Sequence, residues 1–325
     1  MSKMSISKAI VAAQREEMLR DEKVYIMGLD VGPYGGAFGC TKGLWKEFGS
    51  ERVMDMPIAE AGYTGIGVGS AATGMRPIVE LQYSDWITIA SDQLVNQAAN
   101  MRYTFGGTLS VPMVLRAPVG GGISAASQHS HMFESWFAFV PGLKVVMPSC
   151  ASDAKGLLKS AIRDNNPVIF FEHKAIYDMV EEVPDDADYT VPLGKAKVVR
   201  EGSDVTIVTY SKMVHDSLAA AKILEAEGIH VEVVDLRTIK PMDTDTILQS
   251  VRKTNRLACV QETWLTCSVA SEVSAFVAEH AFDDLDCPIC RIGALDVPAP
   301  FAPNMEAYVL PDVDQIVTAI RGMMQ

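Results

Sequence analysis

The sequence predicts an α/β fold with two open α/β domains, the first of them carrying a mainly parallel sheet. Strand-like apolar runs alternate with helical segments almost throughout the 325 residues, and such alternation is typical of parallel sheets covered by helices on both faces. An acidic, proline-containing stretch without periodicity interrupts the alternation at residues 181–189. We therefore predict one domain over residues 1–180, a linker over 181–202 and a second domain over 203–325.

The elements of the first domain follow from the hydrophobic pattern. A polar, charged segment at residues 6–20 predicts a helix that precedes the first strand. Short apolar runs predict buried strands at residues 23–27, 53–56, 77–81, 111–116, 144–147 and 167–171. Helices are predicted between them at residues 87–102, 130–140 and 151–163. Ser152 and Asp153 are the predicted N-terminal cap of the last of these helices.

The second domain repeats the same alternation. Its predicted strands are residues 204–210, 230–236, 256–261 and 289–295, and its predicted helices are residues 213–227, 245–253, 268–282 and 313–323. In open α/β sheets, ligands bind at the carboxyl ends of the strands. We therefore expect functional side chains in the loops that follow strands in both domains.

The composition excludes several classes of function. The net charge of −13 at pH 7 argues against a nucleic-acid partner, because phosphates require a basic surface. No apolar run approaches the roughly 18 residues that cross a membrane. The amino-terminal segment is polar and charged and lacks the apolar core of a signal peptide. These features predict a cytoplasmic protein that binds neither nucleic acid nor membrane.

A single carboxylate stands at the start of an otherwise small and apolar segment. The predicted strand at residues 53–56 leads into Pro57-Ile58-Ala59-Glu60, and residues 62–74 are mostly Gly, Ala, Ser and Thr. A helix of such small residues permits close approach of another backbone or of a flat ligand. Glu60 is then either a charge that interacts with the helix macrodipole or a catalytic group that handles protons. This segment alone leaves both possibilities open.

Two other patterns have simpler explanations. Gly65, Gly67 and Gly69 lack the full dinucleotide-binding fingerprint, so close helix packing explains them better than a nicotinamide or flavin site. Cys287 and Cys290 lie on a predicted strand, where side chains three residues apart point to opposite faces. No second pair at matching spacing completes a zinc site, so reduced thiols are the favoured interpretation.

A histidine-containing loop is the second candidate site. His129 and His131 follow the glycine-rich stretch 118–124, which comes directly after a predicted buried strand. Histidines on a polar loop at the carboxyl end of a strand are placed to act as acid–base groups or to bind substrate. The alternative is a solvated loop in which the histidines have no role.

Ordered blocks along the whole chain resemble the beta subunits of thiamine-diphosphate-dependent dehydrogenases, the decarboxylase components of 2-oxo acid and acetoin dehydrogenase complexes. The blocks lie at residues 57–62, 74–78, 128–130, 141–146, 153–158, 161–167 and 234–238. The resemblance implies a pyrimidine-binding transketolase-like domain followed by a transketolase C-terminal-like domain. It also implies an oxidoreductase that decarboxylates a 2-oxo acid such as pyruvate, or cleaves acetoin, and passes the acyl unit to a lipoyl group. A branched-chain 2-oxo acid dehydrogenase and a non-catalytic scaffold are the alternatives.

The resemblance assigns roles to individual residues. Glu60 matches the glutamate that hydrogen-bonds the pyrimidine ring of the cofactor and relays its proton. Trp86 stands where the family's aromatic platform is usually phenylalanine, and His129 matches the histidine that faces the substrate and the lipoyl group. Many members carry two acidic residues that contribute to a proton path between paired active sites. Here the pair is Leu29-Asp30, so only Asp30 of that pair is retained.

The resemblance also implies metal ions. The diphosphate of the cofactor is held by Mg²⁺, usually through a Gly-Asp-Gly signature, and this signature does not occur in the sequence. We therefore expect the magnesium ligands on an alpha subunit, in a heterotetramer of two alpha and two beta subunits. A potassium site in the family corresponds to the backbone carbonyls of Met113, Ala161, Asp164 and Asn166.

The last implied partner is the lipoyl-bearing acyltransferase core of the complex. Family members dock a small basic domain of that core on the beta subunit, in an electrostatically steered contact. Four acidic residues near the carboxyl terminus fit this role, namely Glu279, Asp283, Asp284 and Asp286. The alternative for these residues is a solvated acidic face.

Overall fold

The computed structural model describes residues 1–325, which form two compact units. Unit 1 comprises Met1–Val119 and Met132–Leu193, and unit 2 comprises Gly120–His131 and Gly194–Gln325. Each unit combines a sheet of mostly parallel strands with several helices, so the predicted fold class is confirmed.

Unit 1 contains eight strands and six helices. The strands are β1 (Ser2–Ser5), β2 (Val24–Gly28), β3 (Val53–Asp55), β4 (Arg76–Glu80), β5 (Val114–Val119), β6 (Lys144–Val146), β7 (Val168–His173) and β8 (Val180–Val183). The helices are α1 (Ile6–Arg20), α2 (Leu44–Phe48), α3 (Glu60–Ala72), α4 (Ala99–Thr104), α5 (Glu134–Phe139) and α6 (Ala151–Arg163).

The main sheet of unit 1 is parallel and runs in the order β6-β7-β5-β4-β2-β3. Its strands are apolar and almost wholly buried, as the continuous hydrophobic runs predict for a sheet covered on both faces. Ile26 on β2 lies opposite Ile78 on β4, which in turn lies opposite Val114 on β5. Because all these strands are parallel, the loops after β2, β3 and β4 leave the same edge of the sheet.

A buried ion network crosses this sheet. The Arg116 guanidinium on β5 is 1% exposed and donates two hydrogen bonds of 2.7 Å to the carboxylate of Glu172 on β7. It donates a third, of 2.5 Å, to Glu80 on β4. The Tyr177 hydroxyl donates to Glu172 at 2.7 Å. Burial raises the pKa of the Glu80 carboxyl, although Arg116 acts in the opposite direction.

Unit 2 contains a second sheet and the remaining five helices. The strands within its residues are β9 (Lys197–Arg200), β10 (Val205–Thr209), β11 (Val231–Asp235), β12 (Thr238–Lys240), β13 (Leu257–Trp264) and β14 (Cys290–Ala294), and all except β12 belong to this second sheet. The helices are α7 (Met213–Glu225), α8 (Thr244–Thr254), α9 (Val269–His280), α10 (Pro303–Val309) and α11 (Val313–Met323). The sheet order is β14-β13-β10-β11-β9, and only β9 runs antiparallel to its neighbour. No helix of the chain is both long and apolar enough to span a bilayer.

The predicted helix over residues 87–102 starts later in the structure and is irregular. A 3₁₀ turn covers Ser84–Thr88, and helical structure then runs from Ser91 to Thr104, with a π-helical turn at Gln93–Ala98 ahead of α4. Before the helix starts, hydroxyl groups bond nearby carbonyls and compete with regular helical geometry. Thr88 donates to the carbonyl of Asp85 at 2.9 Å, and Ser91 donates to that of Ile87 at 2.9 Å.

The predicted cap of α6 is also wrong. The helix begins at Ala151 without any side-chain cap from its own sequence. Instead, the Glu181 carboxylate accepts a 2.5 Å hydrogen bond from the Ser152 amide. Glu181 belongs to β8, which pairs antiparallel with β1, although its acidic sequence lacks a strand pattern. A residue from the predicted linker therefore supplies the missing helix cap.

We predict that the Arg116 network stabilises unit 1 far more than surface ion pairs do. Glu172→Gln leaves the buried Arg116 guanidinium without the carboxylate that accepts two of its hydrogen bonds. The free energy of unfolding should therefore fall by about 3 kcal/mol. The matched control is Glu47→Gln, which breaks the exposed pair with Arg15 and should cost under about 1 kcal/mol. Urea denaturation of both variants measures the difference, and equal effects would contradict the prediction.

Candidate cofactor and substrate site

Three of the predicted site residues lie at the carboxyl edge of the unit 1 sheet. Asp30 follows β2, Glu60 begins α3 after β3, and Trp86 lies in the 3₁₀ turn after β4. Since β2 is hydrogen-bonded to both β3 and β4, the structure brings these three residues to adjacent positions on one edge. This edge is where open α/β sheets bind ligands.

Glu60 is a buried acid without a protein partner. It is the first residue of α3 and only 5% exposed, and its carboxylate makes no hydrogen bond or ion pair within the chain. Its carboxylate oxygens are not among the fully buried unpaired atoms of the chain, so they keep contact with solvent, and the positive end of the helix dipole favours their charge. A hydrogen-bonding atom of a ligand, such as a ring nitrogen, would satisfy this carboxylate. The residue therefore fits the pyrimidine-binding role.

Two further polar atoms of α3 are unpaired beside Glu60. The Tyr63 hydroxyl and the Thr64 hydroxyl are buried and make no hydrogen bond. Burial first, and then the charges of Glu60 and Glu80, raise the pKa of Tyr63 well above its usual range. Tyr63 therefore stays neutral close to two carboxylates. The sequence pattern gave no signal for Tyr63 or Glu80, since neither stands in a recognisable motif.

Trp86 belongs to an aromatic group at the same edge. The indole of Trp86 is half-buried and meets the ring of Tyr83 edge-on at 5.3 Å between centroids. Tyr83 in turn meets Phe38 edge-on at 5.7 Å, and the Lys174 ammonium lies 5.6 Å from the Tyr83 ring centroid. Edge-on packing of this kind fixes the orientation of a ring. Trp86 can therefore offer a flat surface for stacking.

Asp30 links the loops after β2 and β4. Its carboxylate accepts a 3.0 Å hydrogen bond from the Gln82 side-chain amide. Its backbone is left-handed, with φ of 59°, a conformation that Asp tolerates better than most residues. Asp30 itself is exposed, and the neighbouring Leu29 is partly buried.

His129 lies in unit 2. It ends a short 3₁₀ turn, Ser127–His129, within the loop Gly120–His131, and its side chain is partly buried. The next histidine, His131, packs its ring against Trp264 of β13 at a centroid distance of 5.7 Å. The histidine loop is thus part of a packed unit and not a freely solvated segment.

The residues predicted to hold potassium lie at the opposite edge of the unit 1 sheet. Met113 precedes β5, Ala161 lies in the last turn of α6, and Asp164 and Asn166 lie between α6 and β7. Three of the four carbonyls already accept protein hydrogen bonds: Met113 from the Val168 amide at 2.9 Å, Ala161 from the Asp164 amide at 3.2 Å and Asp164 from the Arg76 guanidinium at 3.0 Å. The Arg76 guanidinium therefore already supplies positive charge beside this set. The chain contains no cluster of three or more His, Cys, Asp and Glu side chains that could hold a metal ion.

Comparison with known proteins matches both units. The family described as "Transketolase, pyrimidine binding domain" matches residues 2–179, and "Transketolase, C-terminal domain" matches residues 194–316. The chain is 48% identical to the 2-oxoisovalerate dehydrogenase subunit beta of Bacillus subtilis (strain 168), over 100% of both chains. This chain belongs to the dehydrogenase beta-subunit family with transketolase-type domains. That assignment confirms the resemblance found in the sequence.

Other members of the family act on different substrates. The chain is 46% identical to the pyruvate dehydrogenase E1 component subunit beta of Rhizobium meliloti (strain 1021), covering 99% of this chain and 70% of that one. It is also 46% identical to the acetoin:2,6-dichlorophenolindophenol oxidoreductase subunit beta of Cupriavidus necator, covering 99% and 98%. A solved structure titled "Split gene transketolase, inactive beta4 tetramer" superposes with a TM-score of 0.82 at 24% identity, over 99% of this chain and 98% of that one. This last match supports the fold alone.

We predict that removing the charge of Glu60 stabilises the chain without ligands. Glu60→Gln keeps the shape of the side chain and removes a largely buried charge that no protein group pairs with, so the free energy of unfolding should rise by up to about 1 kcal/mol. Urea denaturation without cofactor measures the change, with the exposed Glu47→Gln as the matched control. A less stable Glu60→Gln protein would mean that a protein group depends on this carboxylate.

Proposed function

We propose that this chain is the beta subunit of a thiamine-diphosphate-dependent dehydrogenase that decarboxylates a 2-oxo acid or cleaves acetoin. The assembled enzyme would transfer the resulting acyl unit to a lipoyl group. The observation that carries the proposal is Glu60, a buried acid without a partner at the start of α3, in a unit matched by the pyrimidine-binding family. The names of its relatives support the reaction class.

Glu60 would act on the proton of the cofactor's pyrimidine ring. Thiamine diphosphate, when bound, supplies the carbanion chemistry that cleaves the bond next to the substrate carbonyl. The Glu60 carboxylate would share a proton with a ring nitrogen. Because the Glu60 side chain is only 5% exposed, little water competes for this hydrogen bond.

Trp86 would bind the cofactor, and His129 would act on the substrate. The Trp86 indole, fixed edge-on by Tyr83, would stack on the flat pyrimidine ring. His129 would donate or hold a proton at the substrate or the incoming lipoyl group. Asp30, which accepts from Gln82, would retain part of a polar path at this edge of the sheet.

An alpha subunit would complete the active site. In this proposal it supplies the Mg²⁺ ligands for the diphosphate, and the enzyme is a heterotetramer of two alpha and two beta subunits. The beta-subunit names of the relatives support a partner of this kind. A potassium ion at the carbonyls of Met113, Ala161, Asp164 and Asn166 would use their remaining lone pairs beside Arg76. A cytoplasmic location and the domain boundaries given above stay predictions.

The lipoyl-bearing acyltransferase core would dock on the acidic carboxyl-terminal region. Asp284 and Asp286 pair with arginines of this chain, Arg252 at 3.2 Å and Arg256 at 3.4 Å. Glu279 and Asp283 are exposed, and Phe282 between them is 71% exposed. An exposed aromatic ring flanked by acids suits a basic partner, because the charges steer the approach and the ring offers apolar area.

Three chemical classes of substrate are candidates. Relatives named for 2-oxoisovalerate, pyruvate and acetoin are 48%, 46% and 46% identical to this chain. The 48% identity to the 2-oxoisovalerate dehydrogenase subunit beta supports branched-chain 2-oxo acids as the second candidate substrates. Direct assay with each substrate decides between them.

We predict that Glu60→Gln abolishes turnover by the complex formed with the alpha subunit. The loss should exceed about 100-fold, which is the usual contribution of a positioned acid–base group. Reduction of 2,6-dichlorophenolindophenol with pyruvate, 2-oxoisovalerate or acetoin measures the rate, and gel filtration checks that the complex still forms. The Glu47→Gln complex should retain full turnover. Full turnover by Glu60→Gln would instead favour the non-catalytic scaffold.

A further inference from the structure

The loop that carries His129 is held by two buried acids of unit 2. Glu306 on α10 is 3% exposed, and its two oxygens accept hydrogen bonds from the amides of Gly122 at 2.9 Å and Ser124 at 2.8 Å. Glu262 on β13 is 3% exposed and accepts from the Gly121 amide at 2.7 Å. Hydrogen bonds to ionised acceptors are about twice as strong as neutral ones. Three amides in four consecutive residues are thus fixed by carboxylates.

The charge of Glu262 is balanced within the unit. The Lys212 ammonium lies 3.7 Å from Glu262 and 2.6 Å from Asp216. Burial acts to lower the pKa of the Lys212 ammonium. The charges of Glu262 and Asp216 outweigh this effect and raise the pKa above its usual value. The Lys212 ammonium is therefore a cationic partner for the Glu262 carboxylate within the same unit. The other oxygen of that carboxylate accepts the hydrogen bond from the loop.

The backbone of the loop needs such support. Ser124 and Ala126 both have left-handed backbones, with φ of 57° and 62°. Such conformations cost roughly 1–3 kcal/mol in residues other than glycine and persist only when the surroundings impose them. A Cβ added at Gly121 would meet Leu310 at 2.9 Å, so the chain also lies close against the end of α10. The loop conformation is imposed from outside and is not its intrinsic preference.

A second contact fixes the far end of the loop. The His131 ring packs edge-on against Trp264, whose indole donates a 3.1 Å hydrogen bond to the Val297 carbonyl. His129 lies between the two anchors, five residues after Ser124 and two before His131. Its position therefore depends on both ends of the loop.

We infer that Glu306, assisted by Glu262, is a positioning residue that sets the location of His129 for the reaction. This inference rests on the proposed role of His129 in catalysis. Glu306 acts through the backbone of Gly122 and Ser124 and makes no contact with substrate itself. Its loss should leave the fold of unit 2 in place and release the loop.

The first test measures the loop directly. In Glu306→Gln the new amide oxygen can still accept from Gly122, but the amide nitrogen faces the Ser124 amide and cannot accept. Hydrogen exchange at Gly122 and Ser124 in the complex should speed up by about tenfold or more, without substrate present. The matched control is Asp314→Asn, which removes an exposed acid of the same unit and should leave the exchange unchanged. Unchanged exchange in Glu306→Gln would overturn the inference.

The second test links the loop to catalysis. Glu306→Gln should lower kcat by about tenfold to a hundredfold and shift the pH profile of kcat, while His129→Ala lowers kcat at least as far. If Glu306 acts through His129, the double variant loses no more than His129→Ala alone. Glu306→Asp, which keeps the charge, should recover part of the rate. Additive losses in the double variant would show that Glu306 acts independently and would overturn the inference.

The two tests separate this inference from the proposed function. If the His129→Ala complex kept full turnover, His129 would have no role in the reaction. Glu306 would then have no catalytic group to position. The exchange rates would still report whether the carboxylates hold the loop. Faster exchange in Glu306→Gln, combined with losses that do not add to those of His129→Ala, supports both steps.

Discussion

The site of unit 1 depends on one buried guanidinium. Arg116 joins Glu172 on β7 and Glu80 on β4, and loss of one partner from a buried charge network of this kind costs about 3–5 kcal/mol. Glu80 is the last residue of β4, so the network sets where the loop towards Trp86 begins. A Cβ at Gly36 would lie 2.8 Å from the Glu80 carboxylate, which shows that the loop after β2 packs on the same group. The loops that follow β2 and β4, which precede and follow Glu60 along the chain, therefore pack on one shared ion network.

Buried acids serve two opposite purposes in this chain. Glu306 and Glu262 are satisfied by backbone amides and hold a strained loop in place. Glu60 is buried to a similar extent but has no partner in the chain. A satisfied acid stabilises a conformation, whereas an unsatisfied one keeps its hydrogen-bonding capacity for a ligand. This contrast separates the supporting acids from the acid proposed to handle protons.

The sequence predicted regular elements well and non-local contacts poorly. Helices α1, α6 and α11 begin and end where the pattern placed them, and Glu60 was found because it stands alone at a helix start. The start of the helix predicted over residues 87–102 was misplaced because the chain first forms a 3₁₀ turn, in which the Thr88 hydroxyl bonds the Asp85 carbonyl. The predicted cap of α6 failed because Glu181 supplies it. The supporting acids were missed because their partners are distant, 56 residues apart for Arg116 with Glu172 and 184 for Gly122 with Glu306. No local pattern encodes such pairs.

In the proposed enzyme, this chain holds the pyrimidine half of a cofactor site that an alpha subunit completes. Calorimetric titration of thiamine diphosphate with Mg²⁺, on this chain alone and on the complex with its alpha subunit, is the decisive experiment. We expect no measurable binding to the chain alone and tight binding to the complex, weakened by Glu60→Gln. Tight binding by the chain alone would exclude a shared site, because this chain would then hold the diphosphate as well.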